Sequence, residues 1–367
     1  MKRRWNLAWV LAALSLIGTS PPLAARSWDP LPPRAGWTVR APPTVSAPSW
    51  ILYDATADWV ITSSEPDSPR SPASTTKMMT AVVAVDHAGM DEPVTVSQTA
   101  ADVGEAEIGL VAGETLLMGD LMRAALVRSA NDAAVAIAEH VGGSVGGFAE
   151  MMNAKARELG LRNSTFMNPH GLDQPGHYSS AADLLEIEKA LLSNPELAAI
   201  VRSSEISIPA APDGTVRRAE TTNHFLNEYQ GALGVKTGFT LQAGLVLAAG
   251  AERGERRLLV VVMGSTGEQA HFADASRLLD FGFANARVLP VVRGYAYTVG
   301  HGSIDPVAAA ARVQAMAWMA ASGVLVPPPP LPQPEPVVVA RTPEAEPDWR
   351  DALQWSERYW MWLVGER

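Results

Sequence analysis

The chain contains no cysteine among its 367 residues. Its fold therefore cannot rely on disulfide bonds, and no thiolate is available for catalysis. Charged residues are also sparse, at 19%, whereas hydrophobic residues make up 47%, which allows a substantial core and argues against bulk disorder. The formal net charge is -10. No basic surface is expected to neutralise phosphates, so nucleic acid is not an expected partner.

The N-terminus lacks an apolar run of about 20 residues, the length that a membrane-spanning helix needs. Basic residues at positions 2–4 are followed by only 11 apolar or small residues, at 7–17, and then by a small-residue stretch at 23–25. This order is typical of a secretory signal peptide, which we predict over residues 1–25. The mature protein is then expected in the periplasm. The alternative is an uncleaved N-terminal anchor.

Proline marks two further segments of the chain. It is frequent in a lead-in at residues 26–45 and again in a linker at residues 326–347. Proline-rich segments favour extended polyproline II, so the linker is predicted to act as a semi-stiff spacer.

The last 20 residues, 348–367, plot as an amphipathic helix. Its apolar arc is rich in tryptophan, and its polar face is neutral, with two Arg against one Asp and one Glu. Such a helix suits the headgroup region of a bilayer, where burial rather than lipid charge drives binding. We expect it to hold the protein on the outer face of the cytoplasmic membrane; a helix docked on the protein itself, or a subunit contact, is the alternative. The residues expected to enter the membrane surface are Trp349, Leu353, Trp355, Trp360 and Trp362.

Short β-rich runs stand at both ends of the central region, with a helical block between them. Two runs, at 50–53 and 59–62, predict a hairpin, and three later runs predict strands at 232–235, 244–249 and 258–263. A charged turn at 252–257 is expected to join the last two. Apolar residues at three- and four-residue spacing predict helices at 132–140, 148–159, 181–192 and 269–284. A sheet built from both ends of a domain, with helices inserted between, is an α+β arrangement.

The first of three short motifs is Ser-Thr-Thr-Lys at residues 74–77. If a helix starts here, Ser74 and Lys77 lie one turn apart on the same side, because residues at i and i+3 are neighbours. A serine hydroxyl is a weak nucleophile until a base takes its proton, and a lysine is such a base only when neutral. Burial or a second cation must therefore lower the pKa of Lys77 from its free value of about 10.4.

The second motif is Ser-Ala-Asn at residues 129–131, and the third is Lys-Thr-Gly at 236–238. Lys236 can supply the second cation, and Ser129 can lie between the two lysines and pass a proton to a leaving amine. Asn131 offers an amide to hold a substrate backbone. Thr237 with Lys236 suits a terminal carboxylate, and Gly238 lets a substrate strand approach closely.

Each motif alone can arise by chance. Without the others, Ser-Ala-Asn would be interpreted as a helix N-cap and Lys-Thr-Gly as a turn. Their order and spacing, however, resemble those of penicillin-binding proteins and class A β-lactamases. Together with the stretches LVRSANDAA, NPHGLDQPGHYSS and GVKTGFT, they make the chain similar to the low-molecular-weight penicillin-binding proteins, the serine-type D-alanyl-D-alanine carboxypeptidases. The resemblance covers residues 46–287 and implies a transpeptidase fold, an antiparallel sheet packed against a helical lobe. It leaves residues 288–325 as a short extension, too short for a β-sandwich domain of about 100 residues.

The resemblance also implies roles. Ser74 would be acylated, with Lys77 as its general base, and the backbone N–H groups of Ser74 and Phe239 would form the oxyanion hole. The implied substrate is a peptidoglycan stem peptide ending in D-Ala-D-Ala, β-lactams are implied acylating inhibitors, and no cofactor or metal is expected. Phe239 stands where some relatives have histidine. The implied catalytic residues are Ser74, Lys77, Ser129, Asn131 and Lys236, and the implied substrate-binding residues are Thr237, Gly238 and Phe239.

Four alternatives stay open from the sequence. A D,D-endopeptidase would use the same residues, and a scaffold could be acylated without useful turnover. A β-lactamase also needs a Glu-x-x-Leu-Asn motif, which is not found between Asn131 and Lys236. A zinc peptidase could use His170, Asp173 and His177, but no His-Glu-x-x-His motif supports it.

The tryptophan-rich helix generates a prediction about location. Deleting residues 348–367 should move the protein from the membrane to the soluble fraction in cell fractionation, because the apolar face would be lost. Replacing Arg350 and Arg358 by glutamine is the control, since it removes only positive charge from the polar face and should leave binding in place. A truncated protein that stays with the membrane would contradict the anchor hypothesis.

Overall fold

The structure, a computed structural model, describes residues 41–285. The predicted signal peptide, most of the lead-in, the extension, the linker and the C-terminal helix lie outside the described residues. Within residues 41–285, no helix is both long enough and apolar enough to cross a bilayer.

The central element is a five-stranded antiparallel sheet built from both ends of the described region, as the β-rich runs predict. Its first two strands form a hairpin, and its last three form a meander. The order across the sheet is β2-β1-β9-β8-β7. The strands are β1 (Ser49–Asp54), β2 (Trp59–Ser64), β7 (Ala232–Thr240), β8 (Gly244–Arg253) and β9 (Arg256–Ser265).

The later strands are longer than expected. The charged turn predicted at 252–257 is wrong. Glu252 pairs with Arg257 and Arg253 with Arg256, so the strands include these residues and the turn consists only of residues 254–255. The reason is a cross-strand ion pair, in which Arg257 approaches Glu252 to 2.8 Å. Opposite charges facing each other stabilise an antiparallel pair, so polar residues extend the strands beyond their apolar runs.

The segment between the two halves of the sheet forms a helical lobe with two small hairpins. The predicted helices are confirmed, and Gly143 and Gly160, both with positive φ, follow the ends of two of them. The hairpins pair β3 (Pro93–Thr95) with β4 (Thr115–Leu117), and β5 (Glu205–Ile208) with β6 (Arg217–Glu220). The helices are α1 (Thr76–Val85), α2 (Gln98–Ala101), α3 (Met118–Arg123), α4 (Asn131–Gly142), α5 (Val145–Glu158), α6 (Ala181–Ser193), α7 (Pro195–Val201), α8 (Phe225–Glu228) and α9 (Ala270–Asn285).

The sheet separates two hydrophobic cores because successive strand residues point to opposite faces. In β9, Leu259, Val261 and Met263 join the core shared with the helical lobe. The alternate residues face the second core, which α9 covers. The predicted apolar face of α9 is confirmed: Phe272, Ala275, Leu278, Leu279 and Gly282 are all buried there. The α+β fold predicted from the sequence is therefore observed.

One acidic side chain in α6 is buried without compensation. Glu188 is fully buried, and neither of its carboxyl oxygens has a hydrogen-bond partner among the described residues. Burial raises the pKa of Glu188 well above its ordinary value, which favours the neutral carboxyl group. Even a neutral polar group costs free energy when it is buried without a partner.

Replacing Glu188 by methionine, which has a similar volume, is expected to stabilise the protein by about 1–3 kcal/mol, since an unpaired polar group is removed. The gain should be larger at pH 8 than at pH 5. The folded state holds its proton with a raised pKa, so as pH rises only the unfolded state loses the proton, and the wild type loses stability.

Thermal unfolding at both pH values measures this effect, with Glu150→Met as the control because Glu150 is exposed on α5. A Glu188→Met variant that melts no higher than wild type at either pH would contradict the expectation.

Candidate active site

The turn before α1 presents Ser74. A 3-10 helix, Ala73–Thr75, leads directly into α1, and Ala73 has a φ of 47°, in the left-handed region. Lys77 therefore follows Ser74 by one helical turn, as predicted, and its Nζ lies 3.0 Å from Ser74 Oγ. Lys77 is fully buried.

The contacts of Lys77 define the direction of its hydrogen bonds. Its Nζ lies 2.7 Å from Asn131 Oδ1 and 2.8 Å from the carbonyl oxygen of His170. Both oxygens can only accept, so a neutral amine donates its two hydrogens to them. The lone pair then remains for the third neighbour, Ser74 Oγ. The geometry suits a neutral lysine that takes the proton of a serine hydroxyl.

The electrostatic surroundings favour this neutral form. Burial is the main cause that lowers the pKa of Lys77 well below its ordinary value, and the charge of Lys236 lowers it further. Burial also lowers the pKa of Lys236, to about 7, with a contribution from Arg128. The second cation expected from the sequence is therefore close enough to act on Lys77.

The second motif follows an irregular helical turn. A π-helix, Ala124–Arg128, ends at Ser129, whose φ of 67° is left-handed. Such turns and such backbone conformations occur often at functional sites. Asn131 is the first residue of α4, and its amide is engaged at both ends: Oδ1 accepts from Lys77, and Nδ2 donates to the carbonyl oxygen of Gly104 at 3.2 Å. In this structure the amide therefore positions Lys77 and the loop at Gly104.

The third motif lies on β7, which packs against the turn that carries Ser74. A Cβ atom at Gly238 would lie 2.9 Å from both the Cβ of Ala73 and the backbone N of Ser74. Such distances are too short for any side chain, so glycine is required for the strand and the turn to meet. Thr237 Oγ1 lies 2.9 Å from Thr222 Oγ1, and Lys236 Nζ donates to the carbonyl oxygen of Thr237 at 3.0 Å.

One pocket brings the motifs together. Six of the eight residues expected from the sequence line it: Ser74, Ser129, Asn131, Thr237, Gly238 and Phe239. The other two, Lys77 and Lys236, are buried just behind it, at 0% and 1% exposure. Residues of all three motifs therefore line one cleft, and the two lysine side chains lie buried behind it.

The pocket also contains residues that the motifs do not include. Glu105, Arg128 and Thr222 line it, together with Ala106 and Leu172. Arg128 directly precedes the second motif, so its position could have been inferred from the sequence. Glu105 lies 26 residues before Asn131, and no periodicity or motif marks it.

A family model described as D-alanyl-D-alanine carboxypeptidase matches residues 37–267. That match spans more than half of the chain and contains all three motifs. The chain belongs to the D-alanyl-D-alanine carboxypeptidase family.

Curated members of the family are similar along the same region. The chain is 33% identical to the D-alanyl-D-alanine carboxypeptidase DacF of Bacillus subtilis over 252 residues, which cover 67% of this chain and 64% of DacF. It is 34% identical to DacC of Escherichia coli over 258 residues, which cover 67% of this chain and 63% of DacC. The chain thus spans less than two thirds of the length of these relatives.

Solved structures of family members share the fold. The D-alanyl-D-alanine carboxypeptidase of Mycobacterium tuberculosis superposes with a TM-score of 0.65 and 29% identity, covering 74% of this chain and 99% of its own. The Streptomyces K15 DD-transpeptidase superposes with a TM-score of 0.63 and 28% identity, covering 67% of this chain and 100% of its own. The penicillin-binding transpeptidase fold expected from the sequence is confirmed.

In this member of the family, the three residues considered as zinc ligands make separate hydrogen bonds. His177 Nδ1 accepts from the N–H of Met167, so its Nε2–H donates to Thr76 Oγ1 at 2.9 Å. Asp173 accepts from Thr240 Oγ1 at 2.9 Å. The carbonyl group of His170 holds Lys77, and no group of three metal-ligating side chains is found within residues 41–285.

Proposed function

We propose that this chain is a serine D,D-carboxypeptidase that removes the terminal D-Ala from peptidoglycan stem pentapeptides through an acyl-enzyme on Ser74. One observation carries the proposal: Lys77 is buried, donates to two carbonyl-type oxygens, and has Ser74 Oγ as its third neighbour at 3.0 Å. Membership of the family supports the same reaction class.

Acylation begins when Ser74 Oγ attacks the carbonyl carbon of the penultimate D-Ala. The hydroxyl proton passes to the lone pair of Lys77, and negative charge develops on the substrate carbonyl oxygen. The backbone N–H groups of Ser74 and Phe239 are placed on the turn and the strand that meet at Gly238, so they can receive this oxygen. Donors of this kind are typically worth about 3 kcal/mol each in the transition state.

The tetrahedral intermediate collapses when the C–N bond breaks and the leaving amine gains a proton. Ser129 lines the pocket beside Ser74 and is the group that hands over this proton. The proton that Lys77 took from Ser74 then passes to Ser129. The positive charge of Lys236 favours this transfer. Water then hydrolyses the ester on Ser74 and restores the free hydroxyl.

The terminal carboxylate binds at the cationic end of the pocket. Thr237 Oγ1 is paired with Thr222 Oγ1, and Lys236 lies behind them. Arg128 lines the same end of the pocket. Its neighbour in the chain, Val127, accepts a hydrogen bond from Thr222 N at 3.1 Å, which keeps Arg128 close to Thr222. Hydroxyl groups and cations suit a free carboxylate.

The setting of the reaction follows from the sequence. The signal peptide would deliver the enzyme to the periplasm, and Trp349, Leu353, Trp355, Trp360 and Trp362 would hold it on the outer face of the cytoplasmic membrane. β-Lactams would acylate Ser74 in place of the stem peptide. The Streptomyces neighbour is described as a transpeptidase, so transfer of the acyl group to an amine is the second candidate.

The decisive test is release of D-Ala from a purified stem pentapeptide. Wild type should release it, and Ser74→Ala should lower the rate by at least 1,000-fold, because the nucleophile is lost. Ser68→Ala is the control, since Ser68 lies outside the pocket. Addition of an acceptor amine and of a cross-linked dimer in parallel assays separates transfer and endopeptidase activity.

Labelling by fluorescent penicillin without any D-Ala release would identify a scaffold. Rapid turnover of penicillin would identify a β-lactamase. Either result would contradict the proposed carboxypeptidase.

The rate of acylation by benzylpenicillin should show a bell-shaped dependence on pH. Acylation needs neutral Lys77, whose lowered pKa places the acid limb well below the usual range for lysine. It also needs the charge of Lys236, so the rate should fall as pH rises through about 7.

Lys236→Gln removes the cation, so the pKa of Lys77 rises and the acid limb should move to higher pH. Lys236→Arg keeps the charge, so it should leave the acid limb in place and move the alkaline limb upward. Stopped-flow acylation between pH 4 and pH 10 measures both limbs. An acid limb that does not move in Lys236→Gln would show that the two lysines are not coupled.

A further inference from the structure

Glu105 is an acidic residue at the mouth of the pocket that the proposed reaction does not use. It lines the pocket with Ser74 and Phe239 but is exposed, whereas Lys77 is fully buried. Its φ of 61° lies in the left-handed region, which is unfavourable for a residue other than glycine. Such a conformation persists only where the surrounding structure holds it.

The start of α4 provides that support. The backbone N of Asn131 donates to the carbonyl oxygen of Ala106 at 2.6 Å, and its side chain donates to that of Gly104. Two residues further on, the carboxylate of Asp132 accepts from the backbone N of Ile108 at 3.1 Å. Glu105 is thus fixed on both sides by Asn131, the residue that also holds Lys77.

The charges of the pocket lie toward different ends of β7. Arg128 acts on Lys236, at the carboxylate end. Burial raises the pKa of Glu105, the charge of Lys77 lowers it and the charge of Asp173 raises it, so Glu105 lies within electrostatic range of both Lys77 and Asp173. Asp173 accepts a hydrogen bond from Thr240 Oγ1, four residues along the strand from Lys236. At about 3.3 Å per residue, these two strand positions are about 13 Å apart.

We infer that Glu105 is a specificity-determining residue that binds a cationic group of the acyl donor, carried by the residue that precedes the two D-Ala residues. This inference rests on the proposed function. With the terminal carboxylate at Lys236 and Thr237, the rest of the peptide extends along β7 toward the acidic end. A free side-chain amine on that peptide meets Glu105 at the mouth of the cleft.

The size of the effect follows from the exposure of the pair. Exposed ion pairs are weak, and a pair partly covered by a bound peptide is somewhat stronger. We expect about a tenfold preference in kcat/KM for a peptide with a free amine. The preference should shrink as salt is added, because both charges remain partly solvated.

The test compares two peptides, acyl-Lys-D-Ala-D-Ala and the same peptide with its lysine amine acetylated. Wild type should prefer the free amine about tenfold, and Glu105→Gln should bring the ratio of the two kcat/KM values to about one. Glutamine keeps the size of the side chain and meets the same backbone conformation. Glu107→Gln is the matched control, since Glu107 is exposed on the same loop but does not line the pocket, and its ratio should stay near ten.

The ratio at one pH cancels any effect of Glu105 on Lys77, because both peptides use the same base. An unchanged ratio in Glu105→Gln, with or without an equal loss of rate for both peptides, would overturn the inference. Slower release of bound benzylpenicillin with an unchanged ratio would also overturn it and would make Glu105 a base for the hydrolytic water. A wild type that cleaves neither peptide and is not acylated by benzylpenicillin would refute the proposed function, and the inference with it.

Discussion

The buried amine of Lys77 is the constraint around which the site is built. A lysine with no exposure to solvent is stable only if it gives up its charge or finds counter-charges, and here burial and Lys236 both favour the neutral form. A neutral amine has two hydrogens and one lone pair. Asn131 and the carbonyl oxygen of His170 take the hydrogens, so Ser74 faces the lone pair. The same burial that costs stability therefore produces the base that a serine nucleophile needs.

The contact between β7 and the Ser74 turn joins the sheet to the helical lobe at the point of reaction. Gly238 has no Cβ, and any larger residue would push the strand away from Ala73 and Ser74. The close approach brings Lys236 near Lys77 and brings Ser74 and Phe239 into the lining of one pocket. Stability and chemistry thus depend on the same short contact. The glycine of the third motif is required by this packing, whereas from the sequence its use was expected to be the approach of a substrate strand.

The helices, the core strands and the Ser74–Lys77 contact follow from local patterns in the sequence, whereas the transpeptidase fold and the roles of the site residues were implied by the family resemblance. Apolar periodicity locates the helices and the core strands, and the i, i+3 spacing of Ser74 and Lys77 predicts their contact. What the sequence could not provide is the long-range register. Glu105 joins the pocket because α4 binds the loop around it. β5 and β6 are only four residues long, and three of the four residues of β6 are charged, so neither strand has a strong apolar pattern. The π-helix before Ser129 also has no signature in residue type. The targeting and anchoring segments stay predictions, since they lie outside the described residues.

Part of the backbone strain lies around the cleft. Six non-glycine residues among the described ones have a left-handed φ, and three of them border the cleft: Ala73, Ser129 and Glu105. Each such residue costs about 1–3 kcal/mol, which the two hydrophobic cores on either face of the sheet must offset. Ala73 and Ser129 lie in the turns that position the nucleophile and the second serine, so their strained conformations serve the proposed reaction. Glu105 acts on Lys77 through its charge, but no hydrogen bond joins it to Ser74 or Lys77 among the described residues. A glycine there would relieve the strain, whereas the glutamate places a carboxylate at the mouth of the cleft, where an entering cation would meet it.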